Sequence, residues 1–258
     1  MTAEPVRIAF YAPMKPPDHP TPSGDRRMAR ALMTVLAADG HDVVLAARLR
    51  AFDGSGDATR QAAIRVRAER AAKRLIAAWR HDSGRRPDLW FTYHVHHKAP
   101  DWIGPRVAGA LGIPYVVAEA SHAPKRQVGP WAIGYAGALA AICAADAVLV
   151  LTDDDRAGIR RVVPARRIVP LPPFLDPLPF ASARPQRARL ARRHGLDPDA
   201  PWLLTVAMMR PGDKTLSYQR LGQALARLGD VPWQLVVVGD GAAAGTCRRA
   251  LRSPDRAR

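Results

Sequence analysis

Two apolar periods alternate along the chain. Arg7-Ile8-Ala9-Phe10-Tyr11-Ala12 is a short apolar run of strand length. A Pro-rich loop follows, to Ser23-Gly24-Asp25-Arg26-Arg27. Met28, Ala31, Leu32, Val35 and Leu36 then recur at helical spacing, and Gly40 stops that helix. The first unit is therefore strand, loop, helix. Roughly 13 residues is long for such a connection, and long loops are usually functional or disordered.

The alternation continues. Asp42 to Ala46 reads as a second strand and Phe52 to Thr59 as a Gly- and Asp-rich loop. Ile64, Ala68, Ala71, Ala72, Leu75, Ile76 and Trp79 form a helical core stripe. Leu89 to His94 is a strand, Trp102 to Leu111 a helix closed by Gly112, and Pro114 to Ala118 a strand leading into Glu119-Ala120-Ser121-His122. Ile133 to Ala145 is a small-residue helix before the buried strand Ala147 to Leu151. Thr152 caps a helix through Asp153, Asp154 and Asp155, whose charges favour a helix start, and Ile168 to Leu171 is a short strand. Alternating strands and helices imply a parallel sheet covered on both faces.

After Asp176 the texture changes. Residues 177–200 are Pro-punctuated and strongly basic, and read as an interdomain linker with a short helix from about Gln186 to His194. Trp202 to Ala207 opens a second α/β unit. A helix from about Ser217 to Leu228 and a strand from Trp233 to Gly239 follow. Ala242 to Arg258 is small and basic and shows no strand pattern. The organisation is an N-terminal domain over 1–176, the linker, and an incomplete second domain over 201–258.

The 258 residues suit one or two domains, and 48% hydrophobic content provides for a real core. The only cysteines, Cys143 and Cys247, argue against a disulfide framework and fit a reducing, cytoplasmic setting. No basic stretch followed by an apolar one opens the sequence, so no signal peptide is expected. The stretch Ala132 to Leu151 is long enough to span a bilayer but is mostly Ala and Gly and contains Asp146, so it reads as helix and strand. The net charge is +16, which could serve nucleic acid, an anionic membrane face or phosphorylated ligands. The arginines run along the whole chain without interleaved aromatics, which argues against nucleic acid.

Ligands of open α/β sheets collect beyond the carboxyl ends of the strands. A helix N-terminus there offers free N–H groups to an anion. Ser23 is a plausible N-cap, and Gly24 permits close backbone approach. Glu119 and His122 follow a strand end and face the same side. His94, His96 and His97 also follow a strand end, but no cysteine or carboxylate cluster joins them at ligand spacing, so no metal site is expected.

The chain resembles a glycosyltransferase of the GT-B fold, of the retaining family-four type, over about residues 6 to 241. The opening strand with its Ser23-Gly24-Asp25 loop carries the resemblance, as do Ala145 to Thr152 with the Ile168 to Asp176 crossing, and Leu204 to Lys214 with Leu235 to Gly241. It implies an α/β chain of two Rossmann-like domains, the second truncated. It also implies retaining transfer of a sugar from a nucleotide-diphosphate donor to a glycan, lipid-linked or small-molecule acceptor, without a metal or other cofactor. Negative charge grows on the departing diphosphate and needs cations. Arg210 and Lys214 match those cations, the Arg displaced from the family's place near Met208. By the same resemblance Gly24 lies against donor phosphates or acceptor, and His122 matches the histidine that contacts the transferred sugar, with Glu119 beside it. Asp25 and Lys98 are candidates for acceptor hydroxyls. Peripheral contact with the inner membrane face would suit a lipid-linked acceptor.

The chain departs from the pattern in lacking the family's Glu-x7-Glu pair, since its only glutamates are Glu4, Glu69 and Glu119. The tail after Gly241 reads as a truncation or a shifted frame rather than the next helix. The expectation is a chain that alone is poorly active and aggregation-prone. The rival readings are a non-catalytic or partner-dependent fragment, a basic nucleic-acid or membrane-surface protein, and a nucleotide-sugar epimerase of the same fold.

Overall fold

The computed structural model describes residues 4–181, 186–228 and 232–252. The chain divides into two compact units, Met1–Pro177 and Leu178–Arg258. Pro185 and residues 253–258, which the sequence reading assigns to the linker and the tail, lie outside the described residues.

In the first unit the elements are β1 (Arg7–Tyr11), α1 (Gly24–Ala38), β2 (Asp42–Ala47), α2 (Ala58–His81), β3 (Leu89–Val95), α3 (Gly104–Leu111), β4 (Tyr115–Ala120), α4 (Ala132–Ala144), β5 (Ala147–Val150), α5 (Asp153–Ile159) and β6 (Ile168–Pro170). The strands form one sheet in the order β2-β1-β3-β4-β5-β6, with every pairing parallel. Alternate side chains of each strand enter different layers. Ile8 and Phe10 pack with Ala29 and Leu32 of α1, and Phe10 stacks on Phe91 at 5.6 Å. Ala9, Tyr11 and Trp90 face Ile64, Ala68 and Ala72 of α2 and Val107 of α3. A polar pin crosses this second layer. Trp90 Nε1–H donates to Thr92 Oγ1, whose hydroxyl donates to the buried Asp101 carboxylate. Asp101 also accepts from Tyr115 Oη and from the backbone N–H groups of Ile103 and Gly104, which open α3.

The apolar stretch 132–151 divides into α4 and β5, and among the described residues no helix is long and apolar enough to cross a membrane. Gln61 of α2 fixes the start of α4: its Nε2 donates to the Pro130 carbonyl, and its Oε1 accepts from Gly134 N–H. Gly134 also lies against the His97 carbonyl, so closely that a Cβ there would come within 2.0 Å of that oxygen.

The second unit contains α6 (Leu178–Ala181), α7 (Arg187–His194), β7 (Trp202–Val206), α8 (Asp213–Leu225), β8 (Gln234–Val238) and α9 (Ala244–Leu251). β7 and β8 pair in parallel. Arg187 donates to the carbonyls of Pro198 and Ala200 and lies over the Trp202 ring at 4.2 Å. α8 begins four residues earlier than its apolar pattern suggests, because Gly212 turns the chain with φ +88° directly after the β7 loop. The tail requires a correction. It does form a helix, α9, whose Cys247 is fully buried with Met209, Tyr218 and Ala243. Ala and Arg are strong helix formers, so one buried stripe suffices to hold it.

The Gly134 contact predicts that Gly134→Ala destabilises the chain by about 1–3 kcal/mol, an overpacking cost. Gly109→Ala, on an open position of α3, is expected to stabilise by about 0.5–1 kcal/mol. Chemical denaturation of the two variants measures both.

Candidate functional site

The strand order reverses between β1 and β3, and in open parallel sheets such a switch point opens a crevice beyond the carboxyl ends of the strands. α1 begins there. Ser23, in an extended conformation, caps it by accepting from Arg26 N–H. This aims Asp25, in the first helical turn, across the sheet ends. Asp25 Oδ1 lies 2.8 Å from His94 Nδ1 near the end of β3. Glu119 Oε1, near the end of β4, lies 3.7 Å from His94 Nε2.

The backbone that produces this cluster is unusual. His94 and Glu119 are the non-glycine residues of the described chain with positive φ, at +64° and +60°. They occupy the same level of neighbouring strands, between the pairs Tyr93↔Ala118 and Val95↔Ala120. Each interrupts the two-residue alternation. Tyr93 and Ala118 pack in the α1 layer, and Val95 and Ala120 two residues later pack in the opposite one. The left-handed step brings His94 to Asp25, on the α1 side. A regular strand would send it into the other layer. Left-handed conformations of this kind cost about 1–3 kcal/mol each and concentrate at functional sites.

The electrostatics follow from the geometry. Burial works against a charged His94, but the hydrogen bond to Asp25 and the charges of Glu119, Asp25 and Asp155 outweigh it and raise the imidazole above its ordinary 6.5. The same hydrogen bond holds Asp25 below its ordinary 3.8. Burial, with the Glu119 carboxylate beside it, pushes the Tyr93 hydroxyl up. His96 behaves oppositely. Burial and the charges of His94, His97 and Lys98 push it down to about 3, and its Nδ1 accepts from Lys98 N–H. The arrangement is an imidazole held between two carboxylates that favour its protonated form, with a phenol beside one of them, an array able to bind hydroxyl groups and move a proton. Among the described residues no group of three or more His, Cys, Asp or Glu is placed to hold a metal ion.

The other candidates from the sequence are distributed around this cluster. Gly24 is exposed at the start of α1 with no atom near its Cβ position, which leaves room for a ligand. Glu119 belongs to the cluster. His122 turns toward α4 and α5, where its ring nitrogens lie 3.1 Å from Tyr135 Oη and 3.3 Å from the Gly158 carbonyl. Lys98 extends its ammonium over the Trp131 ring at 5.0 Å. Tyr93 and Asp155 were not singled out from the sequence. Asp155 accepts from the hydroxyls of Ser121 and Thr152, and it was legible only as a helix-start charge.

In the second unit, Arg210 is exposed in the loop after β7 and Lys214 stands in the first turn of α8. No side chain caps that helix, whose first turn carries Asp213 as well as Lys214, so its first N–H groups lack a side-chain partner, and a helix start of this kind can receive an anion. The loop is held backbone to backbone: Met209 N–H donates to the Asp240 carbonyl, and Ala243 N–H to the Met209 carbonyl. A Cβ on Gly239 would come within 1.9 Å of the Ala207 carbonyl, so glycine is required for this approach.

No family model matches the sequence, and no curated protein does. The structure does have counterparts. The trehalose-6-phosphate structure from E. coli bound with UDP-2-fluoro glucose matches with a TM-score of 0.59 at 12% identity, over 95% of this chain and 68% of that one. A glycosyltransferase from Rickettsia africae matches with a TM-score of 0.56 at 11% identity, over 96% of this chain and 64% of that one. The trehalose 6-phosphate synthase of Burkholderia multivorans gives 0.52 at 14% identity, over 96% and 68%. At such identities the likeness is one of fold. The chain has the α/β fold of GT-B glycosyltransferases and spans about two thirds of the length of these proteins.

The cluster predicts a specific titration. Raising His94 above 6.5 adds stability that is fully present below that value and is lost as pH rises through the higher folded-state value. Lowering Asp25 from 3.8 adds stability present above that value and lost as pH falls through the lower one. The pair therefore contributes most between these two values, and Asp25→Asn should cost more stability near pH 5.5 than near pH 9. In NMR titrations the same variant should lower the His94 midpoint, while His96 stays neutral down to about 3.

Proposed function

We propose that this chain serves sugar transfer from a nucleotide-diphosphate donor, with retention at the transferred sugar. The observation that carries the reading is the Asp25–His94–Glu119 cluster at the switch point of a GT-B-type sheet. In this reading the first unit receives the acceptor, a glycan, lipid-linked or small-molecule hydroxyl compound. Carboxylates and imidazole side by side match the alternating donors and acceptors of sugar hydroxyls. Glu119 and His94 meet the reacting hydroxyls, with Asp25 favouring the protonated imidazole. His122 reaches the sugar by exchanging one of its present partners, Tyr135 Oη or the Gly158 carbonyl, for a substrate hydroxyl. Gly24 leaves the start of α1 open to a phosphate or to the acceptor.

In the second unit, Arg210, Lys214 and the open N-terminus of α8 hold the diphosphate. They offset the negative charge that accumulates as the glycosidic bond breaks, so the donor needs no metal in this reading. The free thiols of Cys143 and Cys247 support a reducing, cytoplasmic setting.

A second reading, a partner-dependent binding fragment, has its own supporting observation. Leu204 and Val206 of β7, Met208 just beyond it and Val238 of β8 are 66%, 70%, 63% and 53% exposed. Parallel sheets are ordinarily covered on both faces, and a patch of this kind marks an interaction surface.

Calorimetric titration with a panel of uridine, guanosine and adenosine diphosphate sugars tests the proposal. The expected result is binding of one donor class that Arg210→Ala or Lys214→Ala weakens about 10- to 100-fold, the value of a charged hydrogen bond. Glu119→Gln and His94→Asn should leave donor binding intact and abolish transfer. Donor binding without turnover on any acceptor would favour the partner-dependent reading. Absence of nucleotide-sugar binding would overturn the proposal.

A further inference from the structure

Beyond the ends of β3 and β4 the first unit gathers a second set of charged groups, all of one sign. β3 runs into a tight turn in which His96 and Ala99 each donate a backbone N–H to the other's carbonyl. His97 and Lys98 stand at its tip. β4 runs on into a short helical turn, Pro124–Arg126, where Arg126 N–H donates to the Ala123 carbonyl. Pro124 fixes the backbone at its start, and the turn carries Lys125 and Arg126. Neither loop contains an acid. Trp131, at the start of α4, packs on the first of them, its ring 5.5 Å from that of His97 and 5.0 Å from the Lys98 ammonium.

These groups are not paired. Arg7, Arg48 and Arg106 of the same unit each have a carboxylate. Among the described residues Lys98, Lys125 and Arg126 form no ion pair. Arg126 Nε and both ring nitrogens of His97 are buried without a hydrogen-bond partner, whereas buried polar groups are ordinarily paired. Burial, with the charges of Arg126, Lys98 and Lys125, pushes the His97 imidazole down, so at pH 7 the ring is neutral and has one N–H to donate. An anion would pair the three cations at once. A line of rings joins this set to the Asp25–His94–Glu119 cluster: the His94 ring lies 5.0 Å from that of His96, and the His96 ring 5.2 Å from that of His97. The two sets border one crevice, the first suited to hydroxyl groups and the second to an anion.

We infer that Lys98, Lys125, Arg126 and His97 form a subsite for the phosphate of a phosphorylated polyhydroxy acceptor whose hydroxyl groups lie on Glu119 and His94. The anion site stands on the residues just described, and its assignment to the acceptor rests on the sugar-transfer reading. A phosphate monoester suits the site better than a carboxylate. It carries nearly two negative charges at pH 7 and three strong acceptor oxygens, enough to meet cations arriving from two loops. The Arg126 fork can hold two of those oxygens. Lys98 reaches the phosphate by leaving the Trp131 ring, exchanging a cation–π contact for a charge-assisted hydrogen bond. The His97 ring, flanked by Lys98 and Trp131, then has an acceptor for its N–H.

Calorimetric titration of the full chain tests this with glycerol 3-phosphate, hexose 1- and 6-phosphates and inositol phosphates, with the unphosphorylated parent of each, and with inorganic phosphate. The expected result is at least one ester that binds about tenfold or more tighter than both its parent and inorganic phosphate, and that shifts the His97 ring resonances in NMR spectra. Lys98→Gln with Arg126→Gln should bring that ester down to the affinity of its parent. Lys125→Gln, on an exposed position, should weaken it about tenfold without risk to the fold. Arg67→Gln with Arg74→Gln, exposed on α2, should change it less than about twofold. Circular dichroism of each variant checks that it folds. Three results would overturn the inference: esters that bind no tighter than their parents or inorganic phosphate, equal losses from the loop variants and the α2 pair, or a loss produced only by Arg210→Ala or Lys214→Ala, which would give the phosphate to the second unit. Each leaves the sugar-transfer reading standing where nucleotide sugars still bind. Ester binding by a chain that binds no nucleotide sugar would keep the anion site and overturn its assignment to an acceptor.

Discussion

The first unit's site depends on one contact, Asp25 against His94. Each side of it has a separate structural origin. Asp25 is placed by the Ser23 cap, which fixes where α1 starts. His94 is placed by a left-handed residue in a buried strand, and Glu119 repeats that conformation one strand away. Neither left-handed step would be retained for packing alone, since a regular strand fills the core at lower cost. The charge pair offsets part of that cost and settles which side of the sheet the imidazole occupies.

This is also why the site lies where the topology allows one. At the β1/β3 switch point the helices on either side of the crossover diverge and leave the strand ends open. The layers above and below are closed, with stacked Phe10 and Phe91 on one side and the Trp90–Thr92–Asp101–Tyr115 pin on the other. A rigid frame of this kind permits strained residues at its edge. The second unit works on a similar principle with backbone in place of side chains: glycines at 239 and 241 let two loops touch, and the β7 loop then carries Arg210 toward the start of α8, an uncapped helix whose first turn holds Lys214.

Much of this could be read from the sequence, because its causes are local. Ser23 and Thr152 announce their helices by cap chemistry, and small-residue composition with the charge of Asp146 separates α4 from β5 within a stretch of membrane-span length. The left-handed pair could not be read that way. Leu89 to Val95 looks like an ordinary strand, and only the register with β4 shows that two residues step out of alternation together. For the same reason His122 could be named but its partners, Tyr135 and Gly158, could not, since they come from other helices. The tail helix is not legible from strand pattern or family likeness, because α9 rests on helix propensity and on one stripe, the buried Cys247 with the partly buried Leu251.

The central claim is that the switch-point cluster of the first unit is where substrate meets the protein. The most direct test is to follow the histidine ring resonances of the full chain by NMR while adding a panel of mono- and disaccharides. The account predicts that at least one saccharide shifts the His94 resonances, with His96 following through its contact with that ring. Shifts confined to remote histidines such as His41 and His81, with His94 unmoved throughout, would contradict it.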